Sequence, residues 1–155
     1  MNFLEMIKDN TFLFDGGMGT ELQARGLGIG EAPESWNLDK PDKLVDVHKA
    51  YVKAGAQAVT TNSFGGSPFK FKSISLEDKT YEVNKAAASL AKKAVLENAL
   101  VAGSIGPTGA MLMMGDLDAD SMLEGFKLQI KGLIDGGVDI LVIETMSDIE
   151  EAKLA

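Results

Sequence analysis

The sequence predicts an α/β fold in which four parallel β-strands alternate with helices, arranged as half of a (β/α)8 barrel or as a compact open sheet. Three observations carry that expectation. Four short apolar runs each close on a glycine-bearing or polar loop: DGGMGT from Asp15, TTNSFGG from Thr60, GSIGPTG from Gly103 and IETMSD from Ile143. These loops recur roughly forty residues apart, the period of a strand plus a helix. The segments AYVKAGAQAVTTN and GLIDGGVDILVIE share one grammar of helix end, glycine, apolar run and polar tip. Continuously apolar runs suit parallel strands buried on both faces. The 155 residues make one domain, whereas a complete barrel takes about 250. Within residues 1–155 the pattern gives four strands and stops in a fourth helix.

Residues 4–8 read as a short lead-in helix and residues 11–15 (TFLFD) as a buried strand. A short helix is expected over 20–25. Pro41 suits the first turn of a helix, and Leu44, Val47, His48 and Tyr51 follow at helical spacing. Gly55 supplies the stop. Residues 57–62 (QAVTTN) form the second strand. Ser75 to Asp78 has the form of a capping box and opens a long helix to about residue 98. Residues 99–104 (ALVAGS) give the third strand. Ser121 to Glu124 is a second capping box, with Leu123, Phe126, Ile130 and Leu133 or Ile134 on one face and Gly136 and Gly137 at its end. Residues 138–144 (VDILVIE) give the fourth strand, and Ser147 to Glu150 caps the last helix.

Composition removes several classes of function. A net charge of −8 argues against a nucleic-acid grip and against anionic membranes. With no cysteine, the chain holds no disulfide, no thiolate and no cysteine-based zinc site. The N-terminus MNFLEMIKDN lacks the basic and apolar regions of a signal peptide, and no apolar run reaches membrane-spanning length. A cytoplasmic protein is expected.

In a (β/α) barrel the chemistry sits on the loops after the strands. The strand tips Asp15, Asn62, Ser104 and Glu144 would therefore share one rim, suited to a small polar ligand with an ammonium group. Glu144 ends a run as apolar as VDILVI, so its carboxylate must be paired or must face a cleft. It either binds ligand or caps the fourth helix or meets a lysine. Gly16 and Gly17 either let a ligand approach the backbone or make the turn after Asp15. Asn62 either binds ligand or braces its loop. The loop from Gly103 to Gly109 is either an anion cradle or a rigid turn set by Pro107. Gly26, Gly28 and Gly30 lack the flanking strand and helix of a dinucleotide fingerprint. Asp116, Asp118 and Asp120 start like a calcium loop, but Ser121 and Lys127 replace its glycine and glutamate. His48 reads as structural. Met111, Met113 and Met114 read as pocket lining or packing.

Five motifs in series then resemble the homocysteine S-methyltransferase family: DGGMGTELQARG, PESWNLDKPDKLVDVHKAYVKAGA, TTNSFGG, GSIGPTG and GGVDILVIETMSDIEEAK. The likeness runs from about Phe12 to the last residue. It is nearest to the N-terminal homocysteine-binding module of cobalamin-dependent methionine synthases and more distant from betaine–homocysteine methyltransferases. The resemblance implies a TIM barrel that binds homocysteine at its C-terminal rim. There zinc holds the substrate sulfur as thiolate, which takes a methyl group from methylcobalamin or another donor carried on other domains. By the same resemblance Glu144 holds the homocysteine amino group, with Asp15 and Gly16 lining the amino-acid pocket beside it; Gly17 and Asn62 join them as substrate-binding candidates from their places on the same loops. The family's zinc ligands are cysteines of the later strands, and this chain has none. The expectation is therefore a homocysteine-binding half that does not transfer methyl groups by itself, no catalytic or metal-ligating residue being assigned here. It would be completed by a C-terminal half-barrel or by self-association through open sheet edges. The alternative is a non-catalytic half-barrel that binds a small amino acid or serves in assembly. Chemistry by carboxylates alone is a third reading.

Overall fold

The computed structural model describes residues 3–8, 11–110 and 115–155. The expected methionines Met111, Met113 and Met114 lie outside the described residues. The elements in chain order are α1 (Phe3–Met6), α2 (Met18–Ala24), a 3-10 turn (Pro33–Ser35), α3 (Trp36–Asp39), α4 (Pro41–Lys53), β1 (Ala58–Thr60), α5 (Pro68–Phe71), α6 (Thr80–Val95), β2 (Leu100–Ile105), α7 (Ala119–Gly136), β3 (Ile140–Ile143) and α8 (Ile149–Leu154). Two further 3-10 turns, Lys72–Ile74 and Glu77–Lys79, join α5 to α6.

The sheet is parallel in the order β1-β2-β3, with Ala58 opposite Leu100 and Ala102 opposite Ile140. The expected parallel α/β architecture is present, with three strands rather than four. Residues 11–15 run alongside β1 but make only one parallel bridge, Phe14 to Ala58. Nor are they buried as expected, since Leu13 and Phe14 are exposed. The segment pairs along one side only. Its rings instead pack edge to face, with Phe12 and Phe14 against each other and both against Phe3 of α1.

Side chains alternate across the strands. Val59 and Val101 pack with Ala91 and Val95 of α6, and Ile105 packs with Phe126 and Leu133 of α7. The opposite face carries Thr60 and Ser104 toward the site described below. All six residues of β2 are buried, as a strand between two others should be. At the edge, β3 leaves Leu141 and Ile143 exposed.

Helices α6 and α7 approach closely because α7 presents glycine. A Cβ on Gly132 would sit 2.7 Å from the Tyr81 carbonyl oxygen, and one on Gly136 would sit 2.5 Å from that of Lys85. Gly136 is thus a packing residue inside α7, and Gly137, with φ +98°, makes the stop. Two expected capping boxes are corrected. Ser75 is the left-handed end of a 3-10 turn, and α6 begins five residues later at Thr80 and ends at Val95. The cap of α7 is Asp118, whose carboxylate accepts from the Ser121 N–H at 2.8 Å, so Ser121 is a first-turn residue. For α8 the cap is Asp148, one residue after the expected Ser147. No helix among the described residues is long and apolar enough to cross a membrane.

Candidate functional site at the strand tips

The loops that follow the strands enclose a cavity of about 330 Å³. Its wall is drawn from four places: Gly16 to Gly19 before and within α2, Pro33 and Glu34 of the 3-10 turn, Thr60 to Phe64 after β1, and Ser104 with Glu144 from β2 and the end of β3. Of the residues expected here, Gly16, Gly17, Asn62, Ser104 and Glu144 line it together. Asp15 stands directly behind Thr60 instead of on the wall. The Thr60 N–H donates to Asp15 Oδ2 at 2.9 Å and the Thr60 hydroxyl to Oδ1 at 3.0 Å.

Electrostatically the site is acidic. Burial pushes the Asp15 carboxyl up to about 6, against the opposing pull of the Thr60 hydrogen bonds, and the nearby charge of Glu144 pushes it in the same upward direction. Ser104 donates its hydroxyl to Glu144 Oε1 at 2.6 Å, which fixes the carboxylate at the mouth of the sheet. No lysine, arginine or histidine is among the residues lining the cavity. The arrangement suits a ligand that brings its own positive charge.

The loop after β1 is held by buried side chains acting on its backbone. Asn37 Nδ2 donates to the Asn62 carbonyl at 2.8 Å, and Gln129 Nε2 to that of Ser63 at 2.8 Å. Asn84 Nδ2 donates to the Gly66 carbonyl at 2.8 Å, and the Gly65 N–H donates to Glu34 Oε1 at 2.7 Å. Asn62 braces the wall as well as lining it: its Nδ2 donates to Pro33 O at 2.8 Å and to Asn37 Oδ1 at 3.0 Å. Behind the first turn, the Tyr51 hydroxyl donates to Gly17 O at 3.2 Å. These contacts fix the wall before any ligand arrives, the arrangement that precise binding requires.

Sequence reasoning passed over Glu34, Thr60 and Phe64. Glu34 carried one signal, an acidic residue in the turn PESW directly after a proline. Thr60 and Phe64 lie within the quoted TTNSFGG motif, where only Asn62 was singled out. The loop after β2 does bind a carboxylate, but one of the chain's own: Thr108 gives its N–H and its hydroxyl to Glu151 Oε1, each at 2.7 Å. His48 is fully buried in α4, and burial lowers it to about 4. Among the described residues neither ring nitrogen has a hydrogen-bond partner.

A resident zinc does not fit the residues present. The chain has no cysteine, and among the described residues no three His, Asp or Glu side chains converge as metal ligands.

The chain is similar to known proteins over nearly all of its length. The chain is 32% identical over 167 residues to the homocysteine S-methyltransferase of Escherichia coli, covering 94% of this chain and 53% of that enzyme. It is 28% identical to the methionine synthase of Mycobacterium tuberculosis, covering 99% of this chain and 14% of that protein. The chain thus spans about half the length of the first relative and a small part of the second. Crystal structures of the Escherichia coli homocysteine methyltransferase MmuM superpose with TM-score 0.83 in both the oxidized and the metallated form. They share 30% and 29% identity with this chain, and each match covers 99% of it and 60% of the other. The family model for homocysteine S-methyltransferase matches residues 12–155, and the chain belongs to that family.

Proposed function

We propose that this chain is the homocysteine-gripping half of a (β/α)8 methyltransferase that makes methionine. The observation that carries the reading is the Ser104–Glu144 pair at the mouth of a parallel sheet, inside an acidic cavity free of basic side chains. In this reading Glu144 takes the ammonium group of homocysteine. Asp15, behind Thr60, adds negative charge, and Gly16 and Gly17 allow the amino-acid backbone close to the turn. Asn62 holds the facing wall. These residues bind and orient the substrate and place its sulfur toward the open side of the sheet.

The groups that activate sulfur are not among these residues. In complete family members zinc would supply that chemistry, and a methyl donor such as methylcobalamin would be carried by further domains. The 155 residues alone are therefore expected to bind homocysteine without methylating it. The bare outer edge of β3, with Leu141 and Ile143 exposed, supports completion by a further half-barrel or by a second copy.

Calorimetric titration with homocysteine, with and without added zinc, tests the reading. The wild-type chain should bind with the same affinity in both cases. Glu144→Gln should lose about tenfold or more, the cost of one charged hydrogen bond. An unchanged dissociation constant in Glu144→Gln would remove Glu144 from the site.

A further inference from the structure

We infer that Glu34 is a second carboxylate of this site that meets the ligand directly and selects for a cationic group. The inference rests on the reading of the cavity as a homocysteine site. Glu34 is only 7% exposed, yet it lines the cavity. Its Oε1 is occupied by the Gly65 N–H at 2.7 Å. Among the described residues, its Oε2 accepts no hydrogen bond and no cation pairs with it. Most of the residue is buried and the cavity is the space it lines, so a cation entering that cavity can reach the free oxygen and take the place of water there.

Glu34 is held there by its surroundings. It follows Pro33, whose carbonyl is tied to Asn62 Nδ2. Gly65 leaves room for it, since a Cβ at that position would lie 2.8 Å from Oε1. One oxygen thus latches the loop after β1, and the other faces the ligand. Glu144 ends β3 and Glu34 arrives from the 3-10 turn, and both line the one cavity, so an ammonium group held there would meet two charged acceptors. A ligand without that group would displace water from both carboxylates and bring them no cation, which is a penalty against it.

The test compares homocysteine with 4-mercaptobutanoate, the same molecule without its amine, by calorimetry on the wild-type chain, Glu34→Gln and Glu144→Gln. Glutamine keeps a carbonyl oxygen for the Gly65 N–H and removes the charge, so the latch survives. Glu34→Gln is expected to bind homocysteine about tenfold more weakly and to bind 4-mercaptobutanoate as well as wild type or better. Equal losses for both ligands would reduce Glu34 to a loop brace and overturn the inference. Unchanged homocysteine affinity in Glu34→Gln, with a loss in Glu144→Gln, would overturn it while leaving the proposed function standing. A wild-type chain that binds no homocysteine would overturn both. Glu34→Ala, which removes the latch as well, is expected to weaken both ligands, and unweakened binding of 4-mercaptobutanoate by it would contradict the latch.

Discussion

If the cavity holds homocysteine as proposed, Asp15 should make its binding depend on pH in a range where free carboxylates do not titrate. Burial raises its carboxyl from 3.8 to about 6, a change of roughly 3 kcal/mol between protonation states. A cationic ligand favours the ionised form. With a value near 6, about nine-tenths of Asp15 is ionised at pH 7 and about one-tenth at pH 5. If homocysteine requires the ionised form, its affinity falls about tenfold between those values. Its own ammonium stays protonated throughout, so the ligand adds no competing inflection. The assay is calorimetric titration at half-unit steps from pH 5 to pH 8, repeated with Asp15→Asn. Wild type should show an inflection near 6 with one proton released on binding below it, and Asp15→Asn should show a flat profile. A wild-type profile flat to within twofold, or an inflection that persists in Asp15→Asn, would refute the reasoning. Folding moves the opposite way. Because the folded value is raised, the contribution of Asp15 to stability is full below about 3.8 and is lost as pH rises through about 6.

Two further predictions concern the scaffold. His48 titrates with the opposite sign to Asp15: its folded value is lowered from 6.5 to about 4 by burial, so its contribution is full above 6.5 and is lost as pH falls through 4. Between pH 6.5 and pH 4 that contribution falls by up to about 3 kcal/mol, while that of Asp15 grows over much of the same range; relative to His48→Gln, the wild type should therefore lose up to about 3 kcal/mol more on acidification, read from urea unfolding, and an equal pH dependence in the two proteins would clear His48. Gly66→Ala places a methyl group 2.7 Å from the Ser63 carbonyl and 2.8 Å from Gln129 Nε2, and into Asn84 Oδ1. Disturbing the two buried hydrogen bonds there should cost about 2–5 kcal/mol, read as a lower urea midpoint, and a wild-type midpoint would show that the loop after β1 can shift freely.

Periodicity made much of the fold legible. The regular return of strand, polar tip and helix placed β1, β2 and β3 correctly, because parallel strands leave continuous apolar runs. The segment at 11–15 misled for the same reason: TFLFD has the apolar content of a buried strand, but it makes only the one bridge to Ala58 and its phenylalanines pack with Phe3, which composition does not display. Capping motifs were read too locally. Ser75 and Ser121 both sit three residues before an acidic side chain, yet Asp118 outcompetes Ser121 as a cap because its carboxylate reaches the Ser121 N–H. At the site, Gly16, Gly17, Asn62, Ser104 and Glu144 were visible as strand tips. Glu34 was not, because it arrives from a turn between helices, and only the long-range bond to Gly65 brings it to the rim.

The most direct test of the account is a crystal structure of the chain soaked with homocysteine. The account predicts ligand density in the cavity between Gly16, Asn62 and Glu144, with the amino nitrogen within hydrogen-bond distance of Glu144 and the sulfur pointing to the open side of the sheet. Homocysteine bound outside this cavity, or inside it with its amino group turned away from Glu144, would contradict it.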